Sequence, residues 1–118
     1  MKFIRHENIW TWGHSTIIIT SNGCGTVTVQ FSNSNPKDAF ISSLSVYKGK
    51  RNKGYGQKLL NEAERYALSQ GAETIALRCD KKSWVYDWYN RCGYSIIGYS
   101  VDDDYMEEAL PILSKKLK

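Results

Sequence analysis

The residues best placed to do chemistry form a basic, glycine-punctuated loop, Lys48-Gly49-Lys50-Arg51-Asn52-Lys53-Gly54-Tyr55-Gly56. It follows the apolar run Leu44-Ser45-Val46-Tyr47 and leads into Gln57-Lys58-Leu59-Leu60, where an amphipathic helix begins. Strand, loop and helix in that order make an anion site. The first N–H groups of a helix have no intrahelical partner and sit at the positive end of the helix dipole. Glycines let a phosphate approach the backbone closely. Lys48, Lys50, Arg51 and Lys53 add positive charge. The chemistry to expect is the grip on a pyrophosphate.

Two nucleotide readings fail on spacing. A nucleotide P-loop needs Lys-Ser or Lys-Thr directly after its last glycine, to reach the outer phosphates and magnesium. Here Gly56 is followed by Gln57-Lys58-Leu59. A dinucleotide fingerprint needs a third glycine three residues on, and position 59 is leucine.

The segment Arg51-Asn52-Lys53-Gly54-Tyr55-Gly56 resembles the acetyl-CoA-binding motif (Arg/Gln-x-x-Gly-x-Gly/Ala) of the GCN5-related N-acetyltransferases (GNAT superfamily). Val46 stands five residues before Arg51, where that family's splayed central strand ends. Trp88-Tyr89-Asn90-Arg91-Cys92-Gly93-Tyr94 looks like the family's aromatic-Tyr-x-Lys/Arg-x-Gly-aromatic segment. The resemblance covers roughly residues 15–118, with its specific motifs at 44–60 and 88–94.

The resemblance implies an α/β GNAT acyl-CoA N-acyltransferase fold, a splayed mixed parallel and antiparallel sheet flanked by helices. It implies acetyl-CoA as cosubstrate and no metal. The backbone from Arg51 through Asn52, Lys53, Gly54, Tyr55 and Gly56 to Gln57 would wrap the pyrophosphate, with Lys50 or Arg91 near the 3′-phosphate. The pantetheine arm would lie along Leu44, Ser45 and Val46, and the Val46 region would supply the amide that polarises the thioester. Tyr89 matches the family tyrosine near the sulfur and would protonate the leaving thiolate. The reaction implied is direct attack of a primary amine, from a small molecule or peptide, on acetyl-CoA. A family asparagine seven residues before the tyrosine is replaced by Lys82. The base is not assignable: Asp80 would act directly or through water, and the Asp102–Asp104 turn would attract a cationic amine. The family's pair of helices between its first two strands has no room here. The acceptor site is therefore open or completed by a partner, a homodimer being one such assembly.

These residues need elements to hold them. Residues Met1–Thr11 read as an edge strand or an irregular lead-in. Ser15–Thr20 is rich in β-branched residues, Ser21-Asn22-Gly23 signals a turn, and Cys24–Phe31 alternates with Val27, Val29 and Phe31 on one face. This is a hairpin. Ser32–Asp38 reads as a polar loop, because Pro36 makes a poor strand. Strict alternation over Ala39–Tyr47 puts Phe40, Ser42, Leu44 and Val46 on one face. Gly54–Ser69 reads as a helix with Tyr55, Leu59, Ala63, Tyr66 and Ala67 inward, and Gln57, Lys58, Asn61, Glu62 and Arg65 outward. Gly71 ends it. Thr74–Asp80 is a strand. Ser83 caps a helix over Trp84–Cys92, on which Val85, Trp88, Tyr89 and Cys92 share a face, and Gly93 ends it. Trp84 and Trp88 read as core or groove wall, and Tyr89 as core if it is not catalytic. Tyr94–Val101 and Leu110–Leu117 are strands, with Glu107–Leu110 alternatively helical. Helices between the middle strands predict that consecutive ones pair in parallel.

The 118 residues make one domain, 1–118, with a net charge of +4 from 16 basic and 12 acidic groups. That charge favours anionic ligands without demanding nucleic acid. Cys24, Cys79 and Cys92 fit no disulfide or metal spacing and read as buried free thiols of a cytoplasmic protein. His6 and His14 read as solvated or structural. No run reaches membrane-spanning length, so no membrane partner is expected. Two rival readings stand beside the transferase: a catalytically silent acetyl-CoA-binding module, and a nucleic-acid-binding domain that interleaves Lys48, Lys50, Arg51 and Lys53 with Tyr47 and Tyr55.

Overall fold

The computed structural model describes residues 3–11, 14–21, 23–32, 34–100 and 110–118. Among the described residues nine elements follow one another: β1 (Phe3–Thr11), β2 (His14–Ser21), β3 (Gly25–Ser32), β4 (Asn35–Val46), α1 (Tyr55–Ser69), β5 (Thr74–Arg78), α2 (Trp84–Arg91), β6 (Ser95–Tyr99) and β7 (Pro111–Lys116). The seven strands form one sheet in the order β1-β2-β3-β4-β5-β7-β6. The first four are an antiparallel meander, so the N-terminal stretch is an edge strand. Among the described strands only β4 and β5 pair in parallel, joined through α1.

The expected parallel pairing of β5 with β6 does not form. Strand β7 enters between them, antiparallel to both. This insertion buries Leu113 between Leu77 and Ile96 in register. It is a non-local choice, made by the last strand.

The expected loop Ser32–Asp38 is also shorter than the composition suggests. Strand β4 begins at Asn35 and carries Pro36 inside it. Ser32 pairs with Asn35 while Phe31 pairs with Ala39, so Pro36, Lys37 and Asp38 bulge out of the β3 ladder. A proline at a bulge forfeits no ladder hydrogen bond. The bulged segment finds its own partners: the Lys37 carbonyl accepts the Glu73 N–H at 2.7 Å, and Asp38 accepts from Asn35 and Thr74 side chains.

A second bulge corrects the predicted faces of β4. Val29 lies opposite Ile41 and Thr28 opposite Ser43, leaving Ser42 as the extra residue. One inserted residue reverses the side-chain alternation beyond it. Ala39 and Ile41 face the core before the bulge, and Leu44 and Val46 join that face after it, while Ser43 and Ser45 turn outward.

The core lies on this face. Ile17, Ile19, Val27, Val29, Ile41, Ile75 and Leu77 meet Leu59, Leu60, Ala63 and Ala67 of α1, with Tyr89 of α2 at one end. Glu62 departs from its expected outward place: it is 7% exposed, and its carboxylate pairs with Arg65 one turn on, which carries it beneath an exposed guanidinium. Gly71 and Gly93 adopt φ 93° and 97° as the left-handed residues past each helix. No helix among the described residues is long and apolar enough to cross a membrane.

Candidate functional site

The parallel ladder between β4 and β5 is short. It runs only through Asp38–Thr74, Ala39–Ile75 and Phe40–Ala76. Beyond Phe40 the two strands diverge, and residues 41–46 of β4 face a gap. The hydrogen-bond phase of β4 decides what they present to it. Tyr47 N–H donates to the Cys24 carbonyl at 2.8 Å, and the register continues as Ser45 opposite Thr26 and Ser43 opposite Thr28. Bonded and non-bonded pairs alternate in an antiparallel ladder. The N–H and C=O groups of Leu44 and Val46 therefore point away from β3 and into the gap. The Val46 carbonyl accepts the Arg51 Nε–H on that side, at 3.2 Å.

Gly25 permits this arrangement. A Cβ there would lie 2.3 Å from the Ser45 carbonyl oxygen, so only glycine lets β3 approach the end of β4. An isolated glycine in an alternating strand is the sequence signal for such an approach, and it is a positioning residue that the motif reading passed over.

The loop from Tyr47 to Gly54 is shaped by local bonds. Lys50 N–H donates to the Tyr47 carbonyl at 2.9 Å, closing a type II turn with Gly49 at φ 89°. Asn52 takes φ 63°, and Gly54, at φ 80°, is the residue before α1. Gly54 offers no side chain to cap the helix, and the first turn of α1 holds no acidic residue. The leading amides of a fifteen-residue helix thus end in a basic surrounding, with nothing anionic of their own to meet.

A cavity of about 790 Å³ joins these parts. It is lined by Leu44, Ser45 and Val46 of β4, by Lys50, Arg51, Asn52, Gly54, Tyr55, Gly56 and Gln57 of the loop and α1, and by Trp84, Val85, Trp88, Tyr89 and Arg91 of α2. Of the loop cations singled out in the sequence, Lys50 and Arg51 line it, while Lys48 and Lys53 are exposed on the loop outside the lining. Val85 and the α2 tryptophans join the set as wall. Helix α2 is set against α1 by two contacts: Cys92 Sγ donates to Gln57 Oε1 at 3.2 Å, and the Trp88 ring lies 3.6 Å from where a Cβ on Gly56 would stand. Ser83 caps α2 by accepting the Val85 N–H.

Tyr89 forms the deep end of the α2 wall, 9% exposed and packed edge-on to Trp88 and Tyr94 at centroid distances of 4.9 and 5.7 Å. Burial pushes its phenol up to about 12, and the nearby Cys79 and Cys92 thiols add to the shift. The proton stays on oxygen at neutral pH. The two thiols are themselves raised, chiefly by burial and then by Asp80 and Glu64 respectively. That makes them poor nucleophiles.

Asp80 is exposed and does not line the cavity. Its carboxylate accepts the Lys82 N–H at 2.9 Å and shapes the turn into α2. The Asp102–Asp104 turn and the helical alternative at Glu107 lie outside the described residues, as do the side chains of His6 and His14. Among the described residues no group of three or more His, Cys, Asp or Glu side chains converges as a metal site.

Comparison with known proteins bears on this geometry. No curated protein matches the chain at the level of sequence. A family model described as "Acetyltransferase (GNAT) family" matches residues 5–94. Among solved structures, the chain resembles a Bacillus subtilis acetyltransferase in complex with CoA, at 16% identity and a TM-score of 0.71, over 98% of this chain and 99% of that one. It resembles the IAA acetyltransferase of Bacillus cereus, at 22% identity and a TM-score of 0.69, over 88% and 78%. It also resembles the spermidine/spermine N-acetyltransferase of Vibrio cholerae, at 16% identity and a TM-score of 0.68, over 90% and 66%. The splayed strands, glycine loop and following helix that build the cavity all lie inside the matched residues, and the chain belongs to the acetyltransferase (GNAT) family, with its acyl-CoA N-acyltransferase fold.

Proposed function

We propose that the chain binds acetyl-CoA in this cavity and transfers the acetyl group to a primary amine of a small molecule or peptide. One observation carries the reading. A strand edge with outward-facing backbone groups, an uncapped helix N-terminus in a basic loop, and a buried neutral phenol line one continuous cavity. The three suit the three parts of an acyl-coenzyme A: an amide-bearing arm, a pyrophosphate and a thioester.

The residues divide the work accordingly. The amides from Arg51 through Asn52, Lys53, Gly54, Tyr55 and Gly56 to Gln57 hold the pyrophosphate, with the side-chain charges of Arg51 and Lys53 beside them. The Leu44 and Val46 backbone groups pair with the pantetheine arm as a further strand would, and Ser45 flanks it. Acetyl-CoA supplies the activated acyl group. The Val46 amide polarises its carbonyl and steadies the negative charge that develops there. The amine lone pair forms the C–N bond to the carbonyl carbon, and the C–S bond breaks. Tyr89 gives its proton to the departing sulfur. Burial keeps that proton on the phenol until the C–S bond breaks and the sulfur takes it. The amine nitrogen sheds its surplus proton to solvent, and the Tyr89 phenolate takes one back from solvent.

The test is coenzyme A release from acetyl-CoA with a panel of amines, polyamines and N-terminal peptides, beside a thermal-shift titration. Turnover with at least one amine and a rise in Tm are expected. A rise without turnover identifies a silent binder. No rise at all sinks the coenzyme reading.

A further inference from the structure

The α2 wall has two stripes of different depth. Val85 and Tyr89 lie four residues apart and face inward, with Tyr89 9% exposed. Trp84, Trp88 and Arg91 form the second stripe. At 100° per residue their directions fall within about 60° of one another. All three line the same cavity. Trp88 marks where this stripe points, because its ring stands 3.6 Å from the Cβ position of Gly56, in the first turn of α1. The outer stripe thus flanks the phosphate loop, while the inner stripe flanks the deep end. Trp84 is 74% exposed, although tryptophan is buried on average. That leaves most of a large flat apolar ring uncovered at the rim of a polar, cationic mouth.

We propose that Trp84 is a base-stacking platform, and that its indole covers the adenine of the coenzyme. This rests on the coenzyme reading above and extends it. The ligand end that lies next to a pyrophosphate is a nucleoside, flat and π-faced, and an exposed indole beside a phosphate loop is its natural partner. The guanidinium of Arg91, on the same stripe, serves the ribose phosphate. The consequence is donor selectivity. The chain favours thioesters that carry the nucleotide over shortened pantetheine thioesters, because part of its grip acts on a ring far from the reacting bond.

The experiment compares acetyl-CoA with S-acetylpantetheine, which lacks the nucleotide, in wild type, Trp84→Ala and Trp84→Phe. For Trp84→Ala, KM for acetyl-CoA should rise roughly tenfold, the scale of one base–aromatic stack. KM for S-acetylpantetheine should not follow it, and Trp84→Phe should recover most of the loss. Quenching of indole fluorescence by adenosine 3′,5′-bisphosphate should weaken in Trp84→Phe. An equal rise for both donors places Trp84 on the pantetheine arm or the acceptor and overturns the proposal, as does no change for either. Wild type that binds acetyl-CoA but shows no Trp84 effect refutes the stacking alone. Wild type that binds no acetyl-CoA removes the coenzyme reading and this proposal together. The high exposure of Trp84 keeps folding out of the comparison, and a thermal melt of each variant checks it.

Discussion

Tyr89 combines two properties that usually conflict. It is buried among Trp88 and Tyr94, as a core residue is, and it lines a cavity, as a functional one does. Burial keeps it protonated and holds the ring in one place. Replacing it with phenylalanine removes a proton donor and little volume, so packing should survive. Turnover in Tyr89→Phe should fall by roughly 10²-fold or more, with KM for acetyl-CoA little changed, as steady-state kinetics would show. If turnover is unchanged, Tyr89 is packing only. The same phenol bears on alkaline stability. Its folded value of about 12 lies above the ordinary tyrosine value of 10.0, so the folded state holds the proton more tightly. That contribution is complete below pH 10 and is lost as pH rises through about 12. Melting temperatures between pH 10 and 12 should therefore fall less steeply in Tyr89→Phe than in wild type.

The element that matters most is the junction of β4, its loop and α1. Two of its three glycines, Gly54 and Gly56, differ in kind. Gly54 sits at φ 80°, where a side chain is strained whatever the space, with nothing near its Cβ position. Gly56 has no such backbone constraint, and a Cβ there would make ordinary contacts with Trp88 and Val46 at 3.6 Å. Gly54→Ala should cost about 1–2 kcal/mol of stability. Gly56→Ala should stay within about 1 kcal/mol of wild type, since alanine is also the better helix former. Urea unfolding of the two variants measures the contrast. Equal losses would show that the loop, and not the backbone angle, sets the cost. The bulge at Ser42 belongs to the same junction: it turns Leu44 and Val46 onto the cavity face.

At the scale of the molecule, a small polar network ties distant parts of the chain together. Glu64 of α1 accepts from the Tyr94 hydroxyl at 2.9 Å and from Lys115 of β7 at 3.0 Å. It thereby ties the first helix and the turn after α2 to the inserted last strand, β7. Tyr94 is 2% exposed, so its hydroxyl depends on Glu64. Glu64→Ala strands that hydroxyl and the Lys115 ammonium, and should cost about 1–3 kcal/mol. Glu64→Gln, which keeps an acceptor, should cost less. A melt that ranks the two variants the other way would remove the clamp.

The sequence by itself determined what depends on neighbours along the chain. The basic glycine loop, the Ser83 cap, the left-handed Gly71 and Gly93, and the alternation of Val27, Val29 and Phe31 are local. Turn angles, capping and the side-chain period are set within a few residues. The loop residues and Tyr89 were legible as a candidate site for the same reason, since each motif is continuous. Tertiary structure decided what depends on partners far away. Nothing in β4 announces that Ser42 is bulged out, because a bulge is a mismatch between two strands. Nothing near β7 says that it enters between β5 and β6. The exposure of Trp84 and the burial of Glu62 likewise follow from what packs over each residue, and a helical period cannot tell which face a neighbour will cover.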